Sequence, residues 1–168
     1  MRSIMVQENL QTIPQRINNL LHIDFNIDSN PEFWQFLILW NLFECRLFGT
    51  SFSIDKAIVN NYKASDDVLR ETFLYFQSRY VETGNTNQKF DGLNFRKNDK
   101  KENISRVLCE GKDTELNPDT AIQCIIYRLR NNLFHGLKSI EEFSQQNDMF
   151  NIVNKYLLSC QENNIVSK

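Results

Sequence analysis

The stretch Asn117-Pro118-Asp119-Thr120-Ala121-Ile122-Gln123-Cys124-Ile125-Ile126-Tyr127-Arg128-Leu129-Arg130-Asn131-Asn132-Leu133-Phe134-His135-Gly136 decides the fold. It opens with an N-cap residue before proline at the first helical position. It closes on glycine, the residue a left-handed helix end favours. Successive residues of an α-helix turn by about 100°. With Arg130 at zero, Ile122, Ile126, Leu129 and Leu133 fall between about −100° and −40°, one apolar stripe for a core. Cys124, Tyr127, Asn131, Phe134 and His135 fall between about +40° and +140°. That second stripe is aromatic and polar, and is expected to point away from the core. A helix with two such faces calls for two partners. No second domain is read in the chain, so the second partner is expected to be another copy, paired about a two-fold axis.

The same punctuation recurs outward from this helix. Asn30-Pro31 opens a helix to Phe48 whose apolar run from Phe33 is broken by Gln35, Asn41, Glu44 and Arg46. Gly49, Gly84 and Gly111 follow apolar-periodic segments and read as helix C-caps. Asp66 and Asp67 suit the first turn of a helix from Ser65 to Glu82. Further helices are expected over residues 4–22 (one or a pair, with Pro14 starting or kinking it), near Ile54–Asn61, over Glu102–Glu110, and from Ile140 or Asp148 to Glu162. Between Gly84 and Lys101 the chain is rich in Asn, Gly and Lys, with little periodicity, and is expected to be a flexible loop. No strand and no internal repeat is read. The expectation is an all-α, single-domain bundle of about 5–7 helices spanning residues 1–168.

Composition sets limits on function. The chain has 168 residues, 41% of them hydrophobic and 13 of them Phe, enough to fill one core. No apolar run reaches the roughly 18 residues that span a bilayer, and Met1-Arg2-Ser3-Ile4 soon gives way to polar sequence, so neither membrane nor secretory signal is expected. Cys45, Cys109, Cys124 and Cys160 form no CxxC pair and are expected as buried free thiols in a cytoplasmic protein. His22 and His135 are far apart, so neither a metal nor a cofactor is expected, and His22 reads as a capping or surface residue. The net charge of −2 excludes a general electrostatic grip on nucleic acid and leaves only local patches. Lys89 to Lys112 is one such stretch, with seven basic residues against four acidic. It reads first as a solvated face, and second as an RNA path with Phe90 and Phe95 as stacking residues.

The end of the central helix carries the chemistry. Asn131 and His135 are four apart and share a face, so the amide can orient the imidazole. A helix C-terminus favours the imidazolium, which places a proton donor or acceptor near neutral pH. Arg130 supplies a permanent fork of donors for phosphate. A proton-transfer group, an anion clamp and a positioning amide form a kit for phosphodiester cleavage. On spacing alone, the same residues also read as a helix-ending histidine and a solvated arginine.

Tyr127 to Lys138 resembles the signature of the HEPN superfamily: arginine, four to six intervening residues, then histidine, near the end of a helix in a small all-α bundle. Asn131 fills the polar position after the arginine, and Gly136 follows the histidine. Trp34…Trp40-Asn41-Leu42-Phe43-Glu44 looks like the early helix of that family, which often carries an aromatic and acidic pair. The resemblance implies a homodimer with both motifs facing one cleft, and an RNA substrate cut through attack of the 2′-hydroxyl without metal. It implies that His135 handles the proton, that Arg130 binds the phosphate and that Asn131 positions them. Lys138, Arg128 and Tyr127 are expected to line the substrate. Glu44 is expected either to support the cleft or to pair with a nearby cation at its helix edge. Such domains often act as toxins or in antiviral defence, with an antitoxin or sensor encoded by a neighbouring gene. The tyrosine that one toxin subgroup carries two positions after the histidine is Leu137 here. Some members keep the fold without cutting, and a non-catalytic dimer that binds a protein or nucleotide is the alternative.

Overall fold

The computed structural model describes residues 30–49, 51–134 and 146–165. Among these, seven helices and one small hairpin follow in order: α1 (Pro31–Phe48), α2 (Ile54–Asn60), α3 (Asp66–Tyr80), β1 (Val81–Glu82), β2 (Asn85–Thr86), α4 (Gln88–Asp91), α5 (Lys101–Glu110), α6 (Pro118–Phe134) and α7 (Asn147–Ile165). The fold is all-α, as expected. The helix expected over residues 4–22 lies outside the described residues. None of the helices described is long and apolar enough to cross a membrane.

Local signals set the helix ends. Pro31 and Pro118 stand at first helical positions, and Asn117 Oδ1 accepts the Thr120 N–H at 2.8 Å. Asn30, by contrast, makes no side-chain cap bond. Gly111 ends α5 at φ +75°, a left-handed cap that glycine adopts without strain. Gly84 is no helix cap. It sits with Thr83 in the two-residue turn of the β1–β2 hairpin, both at positive φ, in the type I′ sense that matches strand twist.

The first and last described helices run side by side. Asn154 Nδ2 donates to Glu32 O at 2.8 Å and Gln161 Nε2 to Leu39 O at 3.4 Å, so α1 and α7 are parallel. Helices α2, α3 and α5 pack on α6, which becomes the central helix. One hydrophobic cluster joins them all. Its aromatic part centres on Phe52, whose ring lies 5.7 Å from Trp40, 5.0 Å from Phe48 and 5.0 Å from Tyr127.

The segment 84–101, expected as a flexible loop, is folded. It carries β2 and α4, and it buries Phe90, Leu93 and Asp99. Phe90 is therefore a core residue, packed edge-on against Tyr80 at 6.1 Å, and not a stacking platform. All four cysteines are free, but Cys45 is exposed and Cys109 only half-buried, against the expectation of burial. Burial pushes the Cys160 thiol up to about 12, and Cys124 is raised by the same cause.

Candidate functional site

Helix α6 is polar in sequence yet almost wholly interior. From Asp119 to Asn132, every residue is buried except Tyr127 and Arg130. The second stripe therefore does not point away from the core: Cys124 and Asn131 are buried, and Tyr127 packs on Trp40 at 6.1 Å and on Phe52. A free face for a twin helix is absent over these residues. Burial of so many polar groups is stable only if each finds a hydrogen-bond partner. The partners come from other segments of the chain.

At the start of α6, Asp119 Oδ1 accepts from the Ala64 N–H at 3.1 Å and from the Tyr156 hydroxyl at 2.9 Å. Gln123 Nε2 donates to Tyr62 O at 2.9 Å. Burial raises the Asp119 carboxyl above its usual value, and those two donors hold it back. This end of the helix fastens the connection between α2 and α3.

At the other end, Arg128 has been drawn into the fold. Its Nε donates to Leu93 O at 3.1 Å, its Nη2 to Asn94 O, and its Nη1 lies 3.5 Å from Asp99 Oδ2. Burial lowers its pKa, and the Asp99 charge opposes that. Asn132 Nδ2 donates to Gly92 O at 3.1 Å. Arg128 and Asn132, one turn apart, thus bind three successive carbonyls of the α4–α5 connection. The substrate-lining role expected for Arg128 is corrected: its donors are spent inside the fold. Tyr127 stays half-buried, one part of its ring packed on Trp40 and Phe52.

What remains on the last turns of α6 is Arg130. Its side chain is half-buried, and its Nη1 donates to Asn131 Oδ1 at 3.0 Å. Asn131 is itself buried, and its Nδ2 has no hydrogen-bond partner among the described residues. The amide thus accepts from the guanidinium and keeps a donor in reserve. Arg130 and Asn131, neighbours in sequence, are thus joined side chain to side chain, whereas the expected pairing of Asn131 with His135 falls outside the described residues. His135 and Lys138 lie outside the described residues, as does His22.

Glu44 accepts the Phe52 N–H at 3.0 Å. It pairs with a backbone amide, not with a cation, and so fixes the turn after α1 that carries Phe52 against Tyr127. Sequence reasoning missed Asp99, Asp119, Gln123 and Asn132. The one available signal for the last three was their density on α6, a helix already assigned to the core; Asp99 lies in the α4–α5 connection and gave none. No group of His, Cys, Asp and Glu that could hold a metal occurs among the described residues. Compared with models of protein families, with curated proteins and with solved structures, the chain finds no match.

Proposed function

We propose that the chain is an endoribonuclease of the HEPN kind, in which Arg130 holds the scissile phosphate and His135 moves the proton. The observation that supports this most directly is the selective exposure on α6. In a run of buried residues, the arginine of the signature is one of two that stay partly exposed, and the asparagine after it accepts from its guanidinium. A helix built to end in solvated charge would not bury Arg128 and Asn132 on either side and leave Arg130 with an orienting amide.

The chemistry follows from the residue types. His135 takes the proton of a ribose 2′-hydroxyl, and the 2′-oxygen forms a bond to phosphorus. The bond from phosphorus to the 5′-oxygen breaks, that oxygen receives a proton, and a 2′,3′-cyclic phosphate remains. The Arg130 guanidinium neutralises charge on the non-bridging oxygens as it develops. Asn131 keeps the guanidinium in place. The need for two proton transfers suits a dimer in which two motifs share a cleft, which rests on the resemblance alone. So does the role as a toxin or antiviral effector with a partner protein encoded nearby.

The test is cleavage of diverse RNAs in EDTA. Wild-type protein is expected to leave cyclic-phosphate ends, and Arg130→Ala and His135→Ala to lose at least about 100-fold in rate. Intact RNA with wild type, or His135→Ala acting like wild type, would sink the proposal. The absorption of Arg128 into the fold favours a second reading, a non-catalytic binding module. In that case His135→Ala leaves the cellular phenotype unchanged.

A further inference from the structure

We infer that the exposed turn Phe95-Arg96-Lys97 is a contact for single-stranded RNA, held in place by α6; this rests on the ribonuclease reading and supplies the substrate contacts that the buried Arg128 does not make. The basic surplus of residues 89–112 is smaller than it looks. Lys100 pairs with Glu115 at 2.8 Å, Lys101 with Asp91 at 2.7 Å and Arg106 with Asp113 at 3.0 Å. Arg96 and Lys97 are both exposed, and neither side chain makes an ion pair among the described residues. Beside them Phe95 is half-buried, its ring resting on Phe90 at 4.9 Å. Two adjacent cations next to a partly open ring are the elements that hold a single strand: the cations take phosphates and the ring face takes a base.

The turn is built to stay put. Gly92, Leu93 and Asn94 offer their carbonyls to Asn132 and Arg128. Asp99 closes it from the other side, accepting the Arg96 N–H at 2.6 Å while facing Arg128. A buried arginine with a buried carboxylate is a costly way to hold a connection that does nothing. A preorganised turn, by contrast, loses little entropy when a strand binds. Arg128 and Asn132 bracket Arg130 along α6, within about 3 Å of it along the axis at 1.5 Å per residue. Helical angle puts Arg128 and Asn132, and with them the turn, on the side of α6 opposite Arg130, so a strand that meets both has to pass around the helix. In a chain of net charge −2, this local pair meets the requirement that any RNA grip be a patch.

The experiment is fluorescence anisotropy of a labelled single-stranded RNA against His135→Ala protein, which leaves the RNA uncut. Adding Arg96→Glu with Lys97→Glu is expected to weaken binding at least about tenfold, and Arg96→Gln with Lys97→Gln to flatten the log–log salt slope by about 1.4, for two lost phosphate contacts. Phe95→Ala should weaken binding with the slope unchanged. Lys63→Glu with Arg70→Glu, the same change of charge elsewhere, should have little effect. Turn variants that bind like their parent, or a control pair that loses as much, overturn the inference. Cleavage of RNA in EDTA by protein carrying native His135 separates the two readings. If that protein cuts while the turn variants bind normally, only the turn is refuted. If it never cuts while binding depends on the turn, only the ribonuclease is refuted.

Discussion

Replacing Arg128 with methionine would leave Asp99 buried without its cation and the contacts to the Leu93 and Asn94 carbonyls unmade. Breaking one partner of a buried pair typically costs about 3–5 kcal/mol, and we expect Arg128→Met to fall in that range by urea denaturation. Arg128→Lys should recover little, because one ammonium cannot serve Leu93 O, Asn94 O and Asp99 at once. Arg130→Ala, two residues on, should cost about 1 kcal/mol or less. A reversed order would mean that Arg130, not Arg128, is the structural arginine. Asp119 gives a second expectation, on pH. Its folded carboxyl is raised above 3.8, mainly by burial. The folded chain then binds this proton more tightly than the unfolded chain, so the residue's contribution to stability is lost as pH rises from the unfolded value through the folded one. Asp119→Asn keeps an Oδ1 acceptor for Ala64 and Tyr156 but cannot titrate. Its stability relative to wild type should therefore increase between about pH 3.5 and about pH 7, measured by urea denaturation at each pH. A flat or opposite trend would show that Asp119 is not raised.

At the scale of elements, the described helices other than α4 were legible and their surroundings were not. Proline at position one of α1 and α6, and the glycine that ends α5, act within a turn of chain, so the sequence places those helices to within a residue or two. The hairpin was invisible for the opposite reason. Strands of two residues have no alternation to read, and Gly84 serves a helix cap and a type I′ turn equally well. Thr83 is the weak point of that turn, a β-branched residue at φ +50°. Thr83→Asn should raise stability by roughly 0.5–1 kcal/mol in thermal or urea unfolding, since asparagine tolerates the left-handed region. A loss would mean that the threonine side chain holds a contact worth more than the strain. The misreading of α6 has a further lesson. Helical angle separates polar from apolar residues, but it cannot see that Gly92, Leu93 and Tyr62, some 35–60 positions away, bring carbonyls to Asn132, Arg128 and Gln123. The same holds for Arg128, read as facing substrate, whose partners Leu93, Asn94 and Asp99 no local pattern announces.

For the whole molecule, the question is how two copies would meet. The large apolar side chains left exposed among the described residues are Ile38, Val59, Leu74 and Leu158, each on a different helix. They make no stripe on any one helix, and on α6 the Tyr127 ring is packed on Trp40 and Phe52. The described residues thus offer no apolar stripe for a pairing through the signature, and such a pairing has to be looked for in its effect on activity. That makes the shared cleft testable by mixing. If one cleft needs both motifs, His135→Ala chains added to wild type will draw it into inactive mixed dimers. With an equimolar mixture at exchange equilibrium, half of the wild-type chains have a mutant partner, so RNA cleavage per wild-type chain should drop by about half, and further with excess mutant. If the site is complete within one chain, cleavage per wild-type chain stays constant at every ratio. Arg128→Met chains, which are weakened in the fold and keep both residues of the motif, should restore cleavage per wild-type chain in mixed dimers as far as they are folded, so a loss as large as with His135→Ala would count against the shared cleft.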